Sequence, residues 1–227
     1  MTPLRRHQLA YLSAAGWAAL RTLDDTLQAQ DCLAHWRTQR LPLVVARQPG
    51  ALDAAGGRIT LGLPAPLAWG RRRIGVQVPR SAICYFDEFP RAADVVRQLP
   101  RTAAPAWRRL AAALDEGGAP ARVYGSHGWQ RLTGLPYLRP GSDIDLWVAV
   151  RGARQADEAA AQLQRSAAQG LRLDGELVFG DGGAVQWREW AAWRAGEVRA
   201  VLVKRLAGAE LVHDACRFEA EAEAAWA

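Results

Sequence analysis

The stretch that most constrains this chain runs from Val123 to Val150 and carries two short motifs. Gly125-Ser126 ends a brief apolar run, Arg122–Tyr124, and opens what reads as a helix over 126–133. Ser142-Asp143-Ile144-Asp145-Leu146 then opens a longer apolar run, 143–150, that reads as a buried strand. Strand side chains alternate between faces, so Asp143 and Asp145 point the same way. Two ionised carboxylates side by side repel each other, and a cation between them relieves the repulsion. At the mouth of a buried strand the cation expected is Mg2+, which prefers carboxylate and phosphate oxygens. Glycine lets backbone approach a phosphate closely, and a helix N-terminus turns its N–H groups toward the anion. Strand, Gly-Ser helix, then Asp-x-Asp strand, with Ser126 and Asp143 17 residues apart, together predict phosphoryl or nucleotidyl transfer.

The rest of the chain supplies a setting for that stretch. With 227 residues, half of them apolar, it has room for one large domain or two small ones. Residues 2–20 read as a turn and a short helix. Leu27, Cys32, Leu33 and Trp36 then fall at near-helical spacing up to Pro42. Leu43–Ala46, Arg58–Leu63 and Arg71–Val78 read as strands, and 81–86 as a further element or short helix. Ala92–Leu99 and Ala106–Leu114 read as helices between Pro100, Pro105 and Gly117-Gly118. Beyond them come a helix over Asp157–Gln169, capped by Gly170, and a hairpin, Glu176–Phe179 and Ala184–Trp187, around Asp181-Gly182-Gly183. A helical turn at Trp190–Arg194, a last strand at Val198–Val203 and an Ala/Glu-rich helix at Ala215–Ala227 complete the series. The expected class is α+β. A small N-terminal α+β domain, 1–90, precedes a domain at 91–227 whose mixed sheet is flanked by helices.

Charge is unevenly spread along the chain. Residues 1–120 hold 16 Arg against 9 acids, a surplus of +7, while residues 121–227 come to −1. The basic half offers a surface to phosphates or to an acidic protein, with the Arg71–Arg73 run one place where such a protein could meet it. The three cysteines, Cys32, Cys84 and Cys216, have no zinc or disulfide spacing, which fits a reducing compartment. Arg5-Arg6 ahead of the mildly apolar run Leu9–Leu20 looks like a weak signal peptide, but His7, Gln8, Ser13, Gly16 and Trp17 dilute it. A cytoplasmic protein is expected, with no membrane association, since no stretch of about 18 apolar residues occurs.

The ordered motifs resemble the nucleotidyltransferase superfamily. More narrowly, the run Gly125-Ser126-His127-Gly128-Trp129-Gln130, Leu132-Thr133-Gly134-Leu135 and Ser142-Asp143-Ile144-Asp145-Leu146 resembles the phosphoribosyl-dephospho-CoA transferase of malonate decarboxylase, also called its holo-acyl-carrier-protein synthase. Arg6-His7-Gln8-Leu9 and Ala184-Val185-Gln186-Trp187-Arg188-Glu189 extend the resemblance over most of the chain. It implies a nucleotidyltransferase-like catalytic domain and a reaction. The prosthetic group of triphosphoribosyl-dephospho-CoA passes to a serine of the apo acyl carrier protein of malonate decarboxylase, and diphosphate leaves. It also implies that Asp143 and Asp145 are catalytic and bind Mg2+, and that Gly125 and Ser126 hold the diphosphate. A third carboxylate is expected on a neighbouring strand: Asp174 is preferred and Glu176 is the alternative, both on one strand face. His127 and Lys204, the single lysine, are further candidates for the phosphates, and Trp129 and Trp187 lie nearest a base pocket. Two other readings stand beside this one. One is a nucleotidyltransferase using an ordinary nucleoside triphosphate; the other is a non-catalytic binding module, such as a basic nucleic-acid binder. The retained aspartates and Gly-Ser argue against the latter, so no nucleic-acid partner is expected.

Overall fold

A computed structural model describes residues 3–48 and 57–219. The chain forms two compact units. The first comprises Met1–Phe89 with Leu132–Tyr137 and Leu206–Gly208; the second comprises Pro90–Arg131, Leu138–Arg205 and Ala209–Ala227.

The first unit is built on an antiparallel sheet. Its strands are β1 (Leu9–Leu12), β2 (Arg21–Thr22), β3 (Leu43–Val45), β4 (Arg58–Pro64), β5 (Arg73–Pro79) and β6 (Ile83–Asp87), in the order β2-β5-β4-β3-β1-β6. Alternation decides which face is buried: Ile59, Leu61 and Leu63 of β4 and Ile74, Val76 and Val78 of β5 point into the core. A short helix α1 (Ala14–Ala18) and the longer α2 (Leu27–Gln39) accompany the sheet. Thr26 caps α2 by accepting from the Ala29 N–H, and Arg40 ends it in the left-handed region. Its Trp36 is fully buried and donates its indole N–H to the Pro42 carbonyl at 3.1 Å.

Two expectations for this unit change. The short helix expected within residues 2–20 is present as α1, but a strand comes before it: Leu9–Leu12 form β1, paired on both sides by β3 and β6. Tertiary pairing outweighs the weak local pattern there, because Leu9 and Ala10 are both fully buried. Residues 81–86, expected as a further element or short helix, hold the end of a 3-10 turn, Arg80–Ala82, and most of the edge strand β6, Ile83–Asp87.

The second unit carries a mixed sheet with helices packed on it, so the chain is α+β. Its strands are β7 (Ala121–Val123), β8 (Ile144–Val150), β9 (Leu173–Phe179), β10 (Ala184–Gln186), β11 (Val201–Lys204) and β12 (Ala209–Val212), ordered β12-β11-β10-β9-β8-β7. Among the described strands only β8 and β9 pair in parallel; the helix after β8, α5 (Ala153–Ala168), is the crossover that parallel pairing requires. The helices are α3 (Ala104–Glu116), α4 (Gly125–Thr133), α5 (Ala153–Ala168) and α6 (Trp187–Arg194).

One sheet face is apolar. Ile144, Leu146, Val148 and Val150 of β8 with Leu173, Leu177 and Phe179 of β9 form a core with Trp107, Leu110 and Leu114 of α3, Ala156, Ala160 and Leu163 of α5, and Trp190 and Trp193 of α6. The small alanines of α5 let its backbone lie close to the sheet. The other face carries Asp145, Trp147 and Ala149, then Asp174, Glu176 and Val178, then Ala184 and Gln186, then Lys204, as the strand registers require.

Three further expectations change here. Ala92–Leu99 is not an α-helix but 3-10 turns over Ala92–Gln98, because Pro100 holds Leu99 extended. The last strand starts at Val201 rather than Val198, and a further edge strand, β12, follows it. The expected tail helix shows only a 3-10 turn, Ala215–Phe218; its remainder from residue 220 lies outside the described residues.

Candidate active site

Asp145 of β8 stands directly beside Asp174 of β9 in the parallel register. Register neighbours share a face, and Asp143, two residues before Asp145, shares it too. Three carboxylates therefore come to the same end of two adjacent strands. Burial pushes the Asp145 carboxyl up from 3.8 to about 6, reinforced by the charges of Asp174 and then Asp143. One influence opposes them: the Ser126 N–H donates a hydrogen bond to the Asp145 carboxylate. Among the described residues no cation pairs with Asp145.

Gly125 places that N–H. It opens α4 with a φ of +57°, and a Cβ there would collide with the Asp145 carboxylate. The connection is fixed from β7, since the Tyr124 N–H donates to the Asp145 carbonyl at 2.9 Å. Gly175, between Asp174 and Glu176, has a φ of +141°, and a Cβ there would collide with the Leu146 backbone. Glycine at that point lets β9 lie against β8 in the register that brings the two aspartates together.

The two candidates for the third carboxylate have separate environments. Asp174 is half exposed and lies level with Asp145. Its Oδ1 accepts from the Gly175 N–H at 2.8 Å and from the Gln186 amide at 3.1 Å. Glu176 lies one pleat further on, level with Trp147, is 5% exposed, and takes the Lys204 ammonium at 2.8 Å. Lys204 is thus committed to a buried carboxylate. His127 is also buried, at 4% exposure. Burial lowers its pKa and favours the neutral ring, against a smaller opposing effect from the hydrogen bond to the Asp143 backbone; its Nδ1 has no partner among the described residues. Trp129 and Trp187 are each 3% exposed and belong to the interior.

Three polar side chains at the site went unassigned in the sequence. Arg172 donates from Nε to Asp143 Oδ1 at 2.8 Å. Arg188 stands 3.8 Å from Asp174 Oδ1, donates to the Leu173 carbonyl at 2.6 Å, and stacks on Trp187 at 4.3 Å. Gln186 bonds Asp174 through its amide N–H, while its oxygen caps α6 by accepting from the N–H groups of Arg188 and Glu189. Gln186 and Arg188 lie in the stretch 184–189 singled out for its resemblance. Arg172 carries no signal beyond preceding a strand.

The donors available to a cation are the carboxylates of Asp143, Asp145 and Asp174. In the present side-chain positions no three His, Cys, Asp or Glu groups among the described residues gather closely enough to hold one. Asp143 is turned toward Arg172, and Asp174 toward Gln186 and Gly175. The chemistry of the set nonetheless suits a hard divalent ion: oxygen donors only, with one of them charged at a cost in a half-buried place.

Comparison with known proteins identifies the family. Residues 5–89 match the family model of the phosphoribosyl-dephospho-CoA transferase MdcG N-terminal domain, and residues 91–215 that of its C-terminal domain. A phosphoribosyl-dephospho-CoA transferase of Xanthomonas axonopodis pv. citri is 35% identical over 221 residues, 96% of this chain and 99% of that one. One from Bradyrhizobium diazoefficiens is 36% identical over 190 residues, 82% of each chain. One from Pseudomonas putida is 31% identical over 195 residues, 79% of this chain and 84% of its own. No solved structure matches. The family models and the relatives define the class, a transferase enzyme. The chain belongs to the phosphoribosyl-dephospho-CoA transferase family and spans both of its domains.

Proposed function

We propose that this transferase moves the prosthetic group of triphosphoribosyl-dephospho-CoA to a serine of the apo acyl carrier protein of malonate decarboxylase, in the cytoplasm. The serine Oγ forms a bond to the phosphorus next to the ribosyl group. The bond from that phosphorus to the terminal diphosphate breaks, and the diphosphate leaves with the hydroxyl proton. Among the described residues no helix is long and apolar enough to cross a membrane, in keeping with substrates that are water-soluble.

The observation that carries this reading is the register pair Asp145 and Asp174, with Asp143 beside them, below the start of α4. Those three carboxylates would hold Mg2+. The ion supplies charge neutralisation on the phosphate oxygens and a lower pKa for the attacking hydroxyl. Gly125 leaves room for the Asp145 carboxylate at the start of α4, and the remaining N–H groups of that helix's first turn would meet the phosphates. The neutral His127 holds the Asp143 backbone rather than a phosphate. Glu176 and Lys204 form a paired support behind Asp174 on the same strand face.

The test is direct. Purified enzyme, Mg2+ and triphosphoribosyl-dephospho-CoA are mixed with apo carrier protein, and the carrier's mass and the released diphosphate are measured. Stoichiometric labelling of one serine with equal diphosphate is expected, and Asp145→Asn should abolish it. Transfer from an ordinary nucleoside triphosphate at a higher rate would overturn the reading.

A further inference from the structure

Two arginines flank the carboxylates, one at each side. Arg172 holds Asp143 at 2.8 Å and Arg188 reaches toward Asp174 at 3.8 Å. Neither is buried: their side chains keep 63% and 50% of their exposure. Exposed pairs of this kind contribute little to stability, so stability is a poor reason for their placement. Arg188 is nonetheless anchored. Its NH2 is fixed on the Leu173 carbonyl and its plane lies on the Trp187 ring, which leaves NH1 facing Asp174. A guanidinium held this way matches a carboxylate or a phosphate equally well. Lys204, another cation on this face, is taken by the buried Glu176.

We infer that Arg172 and Arg188 exchange partners during substrate binding: they neutralise Asp143 and Asp174 in the resting protein and pass to the terminal diphosphate of the substrate when a divalent cation takes those carboxylates. The inference rests on the metal-binding reading of the three aspartates. It assigns the anion to the two arginines and leaves Lys204 a structural role. Charge stays balanced throughout the exchange. Two carboxylates lose two guanidinium partners and gain a dication, while the guanidinium groups gain the phosphate oxygens.

The exchange predicts effects of opposite sign at the same residue. Mn2+ binding, followed by electron paramagnetic resonance, and inorganic diphosphate binding in the presence of Mn2+, followed by calorimetry, are measured on Arg172→Gln, Arg188→Gln and wild type. Each variant should bind Mn2+ about two- to fivefold more tightly, the scale of an exposed ion pair removed from competition. Each should bind diphosphate roughly tenfold more weakly, the scale of a charge-assisted hydrogen bond lost. Arg154→Gln, whose arginine pairs with Glu158 on α5, removes the same charge elsewhere and should move neither value. Weaker Mn2+ binding in the Arg172 or Arg188 variant marks a merely structural role and overturns the exchange. So do unchanged values, or equal shifts in Arg154→Gln. Wild-type protein that takes up no Mn2+ overturns the metal-binding reading itself, whereas normal uptake with unshifted variants overturns the exchange alone.

Discussion

Replacing Asp145 by asparagine should make the metal-free protein more stable while removing its activity. The side chain keeps its size and an oxygen to accept from the Ser126 N–H, so packing against Gly125 is preserved. What disappears is a charge held in a half-buried place beside two others. The Asp145 carboxyl titrates at about 6 instead of 3.8, a difference of about 2 pH units, or an upper value of about 3 kcal/mol. Part of the group meets solvent, so about 1–2 kcal/mol is the expected gain. The sign follows from proton binding. Between pH 3.8 and 6 the folded protein holds the proton more tightly than the unfolded chain, so stability falls as pH rises through that window. The cost is fully present above it and absent below it. Urea unfolding of both proteins with chelator present, at pH 7.5 and near pH 4, measures this as a shift in midpoint at unchanged slope. The Asp145→Asn variant should unfold at higher urea at pH 7.5, and the gap should close near pH 4. Adding Mg2+ at pH 7.5 should narrow the gap by stabilising wild type alone. A variant no more stable than wild type at pH 7.5, or a gap of equal size at both pH values, would refute the reasoning.

Gly125→Ala should destabilise the fold by about 1–2 kcal/mol through its left-handed backbone alone. It should also cost far more in turnover, because the new methyl displaces the Asp145 carboxylate; wild-type kcat in this variant would contradict the geometry. Lys204→Ala should lower stability by about 1–3 kcal/mol, since it takes the ammonium from the buried Glu176, and a calorimetric melting temperature equal to wild type would show that the pair contributes nothing. Leu146→Ala, in the middle of β8 and 1% exposed, should lose about 3–5 kcal/mol by urea titration. Chelation with EDTA is expected to abolish transfer reversibly, with Mg2+ restoring it.

The part of the site contributed by local pattern was readable in advance. Gly125-Ser126 announces a backbone that approaches an anion, and the parity of Asp143 and Asp145 follows from strand alternation. The mixed sheet with flanking helices was readable too, because α3, α5 and the apolar runs of β8 and β9 carry their periodicity openly. What pairing alone decides was hidden. That Asp174 rather than Glu176 lies level with Asp145 depends on the β8–β9 register, and the two residues have the same parity. Lys204 looked available for phosphate because Glu176, 28 residues away, gives no sign of binding it. Arg172 carries no local signal at all, as its role comes from the carboxylate beside it. The strand β1 was missed for the same reason: it is held by β3 and β6 rather than by its own residues.

The single parallel pairing also bears on how the enzyme assembles. Antiparallel neighbours can zip up from a nearby turn, but Asp145 and Asp174 meet only after the intervening crossover has closed and α5 has docked. Non-local pairing of this kind comes late in folding. Asp174 therefore joins Asp143 and Asp145 only once the apolar core beneath them has formed, so the full cluster of negative charge is a property of the folded second unit.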